Sequence, residues 1–413
     1  MHDQRENMML HVTEAGEGQA FMVASALKEN NAAQAARASY AKIAEVLQDS
    51  GMSIVQERIF GSQSVETEVM AARSAALQAR HLPDHGPVTY IHGDPPWGKG
   101  FAGFIIHAVA AEECWTIRDG ALPCGRGWRR NDCTYLVLQN INGKIGDAGD
   151  NESRPQQVRR MLDRAERILR ENGASYSNVA RTWFYLIDIL DWYPAFNKVR
   201  SEKYGEFGIM PGPQDRSLLL PASTGISGET LAGSACTMDL IAVTGPNVSQ
   251  PVVTQLSNAK QLDAFRYGSA FSRGALIKDS DVTILQVSGT AAIDEKGKSL
   301  FANDIRGQIS ATLEKVEALM DQAGAGLKDI TAATIFIKRP EYAGIFREMA
   351  RERGLEEFPA VCIVADVCRD ELLFEIDAEA AIAKEGSRIQ GVKGRESKKR
   401  DQGVQDSRGQ VKC

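Results

Sequence analysis

The stretch Asp304-IRGQISATLEKVEALMDQAG-Ala325, followed by Ile330-TAATIFI-Lys338, decides the fold. Its first part places apolar residues near i, i+4, i+7 and i+10, which predicts an amphipathic helix with one face on a sheet. The glycine at position 324 is typical of a helix C-terminus. The second part is a short apolar run that predicts a buried strand. Residues 304–338 therefore predict a helix, a turn and a strand packed as one module.

The same module occurs three times in the chain. Residues 32–61 and 155–187 repeat the order of helix, glycine turn and apolar strand. The turn glycines Gly51, Gly173 and Gly324 are separated by roughly 120 to 150 residues, far more than the ~20–50 residues of solenoid repeats. The copies are therefore of domain size, and we divide the chain into units at residues 1–112, 113–247 and 248–383, followed by a tail at 384–413.

Further strands are predicted around each module. In the third unit, Val282-TILQVSGTAAI-Asp294 precedes the helix, and residues 360–367 and 372–382 follow it. This order is typical of an α+β fold in which helices cover one face of each sheet. Three such sheets can bury their other faces against one another, so we expect an intramolecular pseudo-trimer with a barrel-like core. Residues 113–132 lack clear periodicity and are expected to be an insertion or linker, and the polar tail is expected to be disordered.

Composition narrows the class of protein. The 413 residues carry a formal net charge of -6, with a pI of about 5.7, so bulk charge favours neither nucleic acid nor an anionic membrane as a partner. No basic and apolar leader and no membrane-length apolar run is present, so a cytoplasmic protein is expected. The seven cysteines are odd in number and irregularly spaced, without a zinc pattern. We therefore expect no disulfide framework, no metal and no cofactor.

The order of elements and the ending Leu372-LFEIDAEAA resemble the Rid/YjgF family over residues 17–383. The resemblance implies small subunits that form trimers with active sites at their interfaces, which a single chain would reproduce here as a monomer. It also implies an arginine on the penultimate strand and a glutamate on the closing strand. That pair is split in this chain, because Arg216 matches the arginine in the second unit and Glu375 matches the glutamate in the third.

A narrower resemblance concerns residues 368–376, CRDELLFEI, which are similar to the C-R-x-x-L-L-x-E-I closing motif of the chorismatases. It implies an enzyme that acts on a carboxylate-bearing small molecule, a hydrolase or lyase that cleaves the enolpyruvyl ether of chorismate. Its products would be pyruvate and a hydroxybenzoate or dihydroxy-dihydrobenzoate. The resemblance to the branch that makes 3-hydroxybenzoate implies that Cys368 takes part in rearranging the ring.

Chorismate carries two carboxylates, so a site for it needs paired cations, which arginine supplies through two parallel hydrogen bonds. The candidate substrate-binding residues are Arg216, Arg266, Tyr267, Arg273 and Thr290. Cleavage begins when an acid protonates the enolpyruvyl methylene. A glutamate whose pKa is raised by burial can be that acid, and Glu375 lies in an apolar strand.

Simpler interpretations remain open at this stage. Glu375 could face solvent, Cys368 could be a small buried hydrophobe, and Gly289-Thr290 is typical of a β-bulge. The aromatic residues at 183, 185, 192 and 193 are interpreted as core. Two other functions stay open, a Rid-type enamine or imine deaminase and a non-catalytic small-molecule-binding protein. Whether Arg216 and Glu375 face one cleft between the second and third units distinguishes among the three.

Overall fold

The computed structural model describes residues 8–84, 86–111, 113–144, 152–210, 219–245, 252–355 and 357–383. The protein is a mixed α+β fold with three sheets, which confirms the expected fold class. None of the described helices is both long and apolar enough to span a membrane. The expectation of disorder in residues 384–413 concerns a segment outside the described residues.

The first sheet has the strand order β1-β2-β5-β3-β4. Its strands are β1 (Met8–Glu14), β2 (Gln19–Ala26), β3 (Ser53–Gly61), β4 (Thr89–His92) and β5 (Phe101–Val109), and its helices are α1 (Ala32–Ser50) and α2 (Glu66–Ala79). Helix α1 begins after Asn31, whose side chain accepts a hydrogen bond from the Gln34 amide at 2.9 Å. It ends at Gly51, which has a φ of 66° and provides the left-handed cap that glycine adopts most easily.

The second sheet has the strand order β10-β9-β11-β8-β7-β6. Its strands are β6 (Glu113–Asp119), β7 (Leu122–Arg130), β8 (Cys133–Asn142), β9 (Val179–Leu186), β10 (Ala222–Ser227) and β11 (Cys236–Thr244), and its helices are α3 (Arg154–Glu171) and α4 (Ile189–Glu206). Residues 113–132 were expected to be an insertion or linker; they form the hairpin β6–β7, which is inserted at the sheet edge, so the linker alternative was wrong. Trp115 covers Gly127 on the paired strand, where a Cβ would lie 2.3 Å from the indole. The glycine interrupts the sequence pattern and also makes room for the ring.

The third sheet has the strand order β12-β13-β14-β17-β15-β16. Its strands are β12 (Val253–Leu256), β13 (Gly274–Lys278), β14 (Val282–Ala291), β15 (Ile330–Ile337), β16 (Ala360–Val364) and β17 (Phe374–Ala383), and its helices are α5 (Ile305–Gln322) and α6 (Tyr342–Glu352). The register between β14 and β17 shifts between Val287 and Thr290. The predicted β-bulge at Gly289-Thr290 is therefore present.

The three sheets share a four-strand arrangement and a common core. The order β2-β5-β3-β4 recurs as β8-β11-β9-β10 and β14-β17-β15-β16, with the last pair parallel each time. One apolar cluster contains side chains from all three sheets, such as Phe21, Trp183 and Phe336, whereas each sheet packs its own helices over a separate cluster. No closed barrel forms among the described strands. The three sheets pack face to face but remain separate sheets.

Candidate active site

A cavity of about 600 Å³ lies between the second and third units. Helix α4 and strand β10 form one side, and the segment before β13, the bulged strand β14 and the start of β17 form the other. Four of the residues predicted from sequence line this cavity together, namely Tyr267, Arg273, Cys368 and Glu375. The structure thus gathers into one place side chains that are as far as 108 positions apart in the chain.

The carboxyl of Glu375 is the candidate acid. Glu375 is the second residue of β17, paired with Ala291 of β14 and Phe336 of β15, and only 4% of its surface is exposed. Burial, followed by the nearby charge of Asp377, raises the pKa of the Glu375 carboxyl to about 8, against the opposing influence of two arginines. None of the described residues donates a hydrogen bond to this carboxyl. It is therefore a neutral acid near pH 7 that is available to a ligand.

Two guanidinium groups lie beside Tyr267 at the cavity. The guanidinium carbons of Arg273 and Arg369 are each 5.5 Å from the centre of the Tyr267 ring. Arg273 also donates to the Tyr267 hydroxyl at 2.7 Å, and Arg369 donates to the Gly297 carbonyl at 2.9 Å. Sequence reasoning quoted Arg369 in the closing motif without assigning it a role. The cavity therefore offers two fixed cations to an anionic ligand.

The other predicted binding residues lie elsewhere. The Arg266 side chain is 64% exposed, stacks over Phe265 and does not line the cavity. Thr290 is fully buried and donates its hydroxyl proton to the Ser288 carbonyl at 2.7 Å. The structure thus places Arg266 in an exposed helical turn and Thr290 in the bulge of β14, and neither lines the cavity. Arg216 lies outside the described residues.

Cys368 and Tyr193 are near Glu375 in the cavity. Burial and the Glu375 charge raise the pKa of the Cys368 thiol to about 12, so the group is a thiol rather than a thiolate at neutral pH. Tyr193 was interpreted as core, but it reaches the cavity from α4 and packs over Gly225, where a Cβ would lie 3.3 Å from its ring. Helical periodicity cannot reveal this role, because the cavity wall opposite α4 belongs to another unit.

Arg181 of β9, in the second unit, contacts β17, the strand that bears Glu375. Arg181 is fully buried and lies 3.1 Å from the carboxylate of Asp377 on β17. Its guanidinium carbon is 4.3 Å from the centre of the Trp183 ring. The guanidinium carbon of Arg58, from the first sheet, is 4.1 Å from the centre of the same ring. Sequence reasoning missed this contact. The available signal was an arginine within an apolar strand, together with acids at every second residue of β17.

The cavity and the described residues around it contain several kinds of polar group. Among those residues, no group of three or more histidine, cysteine or acidic side chains could hold a metal ion. The polar groups that line the cavity are the carboxyls of Glu375 and Asp370, the Cys368 thiol, two phenols, two guanidinium groups, the Lys198 ammonium, and several amides and hydroxyls.

The chain is similar to several solved structures. A chorismatase crystal structure is similar to 79% of this chain and 93% of its own, with 20% identity and a TM-score of 0.58. A YjgF/YER057c/UK114 family member from Mycobacterium tuberculosis matches 32% of this chain and 99% of its own at 24% identity, with a TM-score of 0.25. A Rid-family protein from Yersinia pestis matches 27% and 87% at 22% identity, with a TM-score of 0.24.

A family model matches the third unit. The family described as endoribonuclease L-PSP matches residues 268–382, which include most of the third sheet and the cavity residues Arg273, Cys368 and Glu375. The chorismatase likeness extends over most of the chain but, at this identity, concerns the fold alone. Residues 268–382 therefore match the family described as endoribonuclease L-PSP, and most of the chain is similar in fold to a chorismatase.

Proposed function

We propose that this protein is a chorismatase-like enzyme that cleaves the enolpyruvyl ether of chorismate and releases pyruvate. The observation that carries the proposal is Glu375, a carboxyl whose pKa burial raises to about 8, in a cavity that also holds two guanidinium groups. An acid that keeps its proton at neutral pH is the group that an enol ether requires. The two cations suit a substrate with two carboxylates.

Substrate binding in this proposal uses Arg273 and Arg369. Arginine forms paired, charge-assisted hydrogen bonds with carboxylates, and both side chains are already held in place by hydrogen bonds to the protein. Phe271 and Ile293 line the cavity and offer apolar surface to the ring. A ligand held between these groups would present its ether side to Glu375.

The chemical step begins with proton transfer. The Glu375 carboxyl gives its proton to the terminal methylene of the enolpyruvyl group, whose π electrons form the new C–H bond and leave an oxocarbenium ion. Capture by water, followed by rupture of the ether C–O bond, gives pyruvate and a dihydroxy-dihydrobenzoate. Capture by a ring hydroxyl of the substrate instead closes a cyclic ketal and releases the hydroxyl proton. Pyruvate then leaves with one of the two oxygens as its ring C–O bond and the other ketal C–O bond break, and the ring loses a proton to become a hydroxybenzoate, without consuming water. The resemblance gives Cys368 a part in this rearrangement. In both routes the Glu375 carboxylate recovers a proton.

The three units are proposed to act as an intramolecular pseudo-trimer with one site. Support comes from the strand order common to the three sheets and from the apolar core that all three share. In this arrangement the interface of the second and third units carries the chemistry, because the register position of Glu375 in β17 is occupied by Thr237 in β11 of the second unit. The positions in β11 that face the same way carry Thr237 and Asp239.

Incubation of the full chain with chorismate tests the proposal. Pyruvate is followed with lactate dehydrogenase and NADH, and aromatic products by chromatography, beside Glu375→Gln as the control. Release of pyruvate by the wild type and its loss in the variant are expected. Wild-type protein without pyruvate release overturns the proposal. Hydrolysis of an imine formed from an amino acid would then favour a Rid-type deaminase, and ligand binding without turnover would favour a non-catalytic binding protein.

A further inference from the structure

Three acids alternate along the buried face of β17. Glu375, Asp377 and Glu379 occupy every second position, and each has no more than 4% of its surface exposed. Side chains at alternate positions of a strand point the same way, about 7 Å apart. Asp377 is paired with Arg181 at 3.1 Å, and Glu379 is paired with Arg58 at 2.8 Å. Glu375 is thus the acid of this row without an ion-pair partner among the described residues.

The Asp377 carboxylate is held by the second sheet. Its Oδ2 accepts hydrogen bonds from Arg181 Nη2 at 3.1 Å, Trp183 Nε1 at 3.1 Å and Thr224 Oγ1 at 2.8 Å. Two of these donors lie on β9 and one on β10. Three donors on one oxygen, one of them a cation, stabilise a negative charge inside the protein. The interface between the second and third units therefore fixes a charge close to the cavity.

We infer that Asp377 is a positioning residue whose charge, fixed by Arg181, Trp183 and Thr224, keeps the neighbouring Glu375 in its neutral, proton-donating form. The titratable and charged groups around Glu375 include Asp377 on its own strand, Arg181 on β9, Arg273 before β13, Cys368 before β17 and Tyr193 on α4. Lys198, Tyr267, Arg369 and Asp370 also line the cavity. Among the charges that act on the Glu375 carboxyl, Asp377 is the negative one that opposes its ionisation, while Arg181 and Arg273 favour it. The inference rests on the proposed function only where it makes Glu375 a proton donor.

Two substitutions within the ion pair should move the titration of Glu375 in opposite directions. Asp377→Asn removes the repelling charge and frees Arg181, so Glu375 should ionise at a pH lower by about one or more. Arg181→Gln leaves the Asp377 charge uncompensated and should move the ionisation to higher pH, whereas Arg181→Lys should keep it near the wild-type value. A merely structural role would lower activity in both neutral variants without opposite shifts.

The matched control is Asp239→Asn. Asp239 is an equally buried aspartate on β11, paired in register with Trp183, but it accepts its hydrogen bonds from Thr89 and the Asn140 amide at 2.7 and 2.8 Å. Its loss removes a buried charge from the second sheet without touching the Asp377 contacts. We expect the ionisation of Glu375 to stay at the wild-type pH in this variant.

The measurement is the carboxyl titration of Glu375 by NMR in full-length protein labelled with ¹³C-glutamate, assigned by difference from Glu375→Gln. The alkaline limb of pyruvate release is recorded alongside. A downward shift in Asp377→Asn supports the inference, even if Arg181→Gln does not fold. A Glu375 titration that is unchanged or moved upward in Asp377→Asn overturns it. If the titration shifts as expected but no variant or wild type releases pyruvate, the proposed function fails while the role of Asp377 stands.

Discussion

A Cβ atom added to Gly289 of β14 would lie 2.3 Å from Oε1 of Glu375 on β17. The Glu375 carboxyl therefore packs directly against the backbone of the bulge at Gly289. Any side chain at position 289 must displace either the carboxyl or the strand, since real Cβ atoms do not approach other atoms so closely. The bulge and the missing side chain together set the position of the candidate acid.

Replacement of Gly289 by alanine should reduce turnover far more than stability. A displacement of the acid by about 1 Å can lower the rate about 10²-fold, so we expect a loss of that order in kcat for pyruvate release. Gly344→Ala in helix α6 is the control, because a Cβ there meets no atom within 4 Å. Its turnover should equal that of the wild type. Full activity in Gly289→Ala would show that the acid does not depend on this contact.

The pH dependence of stability should reveal the buried acid without any substrate. Burial raises the pKa of Glu375 from its ordinary value of 4.5 to about 8, so the folded protein binds this proton more tightly than the unfolded chain. The resulting stabilisation is complete below pH 4.5 and is lost as the pH rises through 8; it amounts to at most about 5 kcal/mol.

Glu375→Gln removes this titration and keeps the shape of the side chain. Between pH 5 and 8.5, urea unfolding should show the variant becoming steadily more stable relative to the wild type. A constant difference in the free energy of unfolding across this range would mean that Glu375 does not retain its proton in the folded state.

The modules were predictable because helix periodicity and turn glycines are local signals. The stretch 304–325 became α5 (Ile305–Gln322), and 32–52 became α1 (Ala32–Ser50). The hairpin at 113–132 was not predictable by periodicity, because Gly127 takes its covering ring from Trp115 across the strand pair. Local patterns thus predict an element whose buried face is formed by its own residues. They do not predict an element whose buried surface includes a side chain from a partner strand.

The candidate site was only partly predictable for the same reason. Glu375 and Cys368 lie in one closing motif, so a resemblance could identify them together. Tyr193 and Arg181 come from the second unit, and their proximity to Glu375 arises only when two sheets pack face to face. Arg266, by contrast, shares a loop with Arg273 yet points outward. Sequence spacing could not distinguish these two arginines.

The two arginines at the cavity should control substrate binding. Hydrogen bonds to charged groups contribute about 1.5–3 kcal/mol, so Arg273→Gln and Arg369→Gln should each raise KM for chorismate about tenfold or more. Arg266→Gln is the matched control, because its side chain is exposed and does not line the cavity. Its KM should be that of the wild type. If Arg266→Gln raised KM as much as the other two, the anionic groups of the substrate would have to lie outside this cavity.

Cys368 should influence which aromatic product forms rather than whether pyruvate is released. Burial raises the pKa of its thiol to about 12, so at pH 7.5 it is a neutral group that alkylates slowly with iodoacetamide. The proton that starts ether cleavage comes from Glu375, so Cys368→Ala should keep pyruvate release within about tenfold of the wild type. Loss of the thiol should instead move the products from hydroxybenzoate towards dihydroxy-dihydrobenzoate, as resolved by chromatography. Cys362→Ala, which removes another cysteine of raised pKa outside this cavity, should leave the product ratio unchanged. An unchanged ratio in Cys368→Ala would contradict a role for this thiol in the rearrangement.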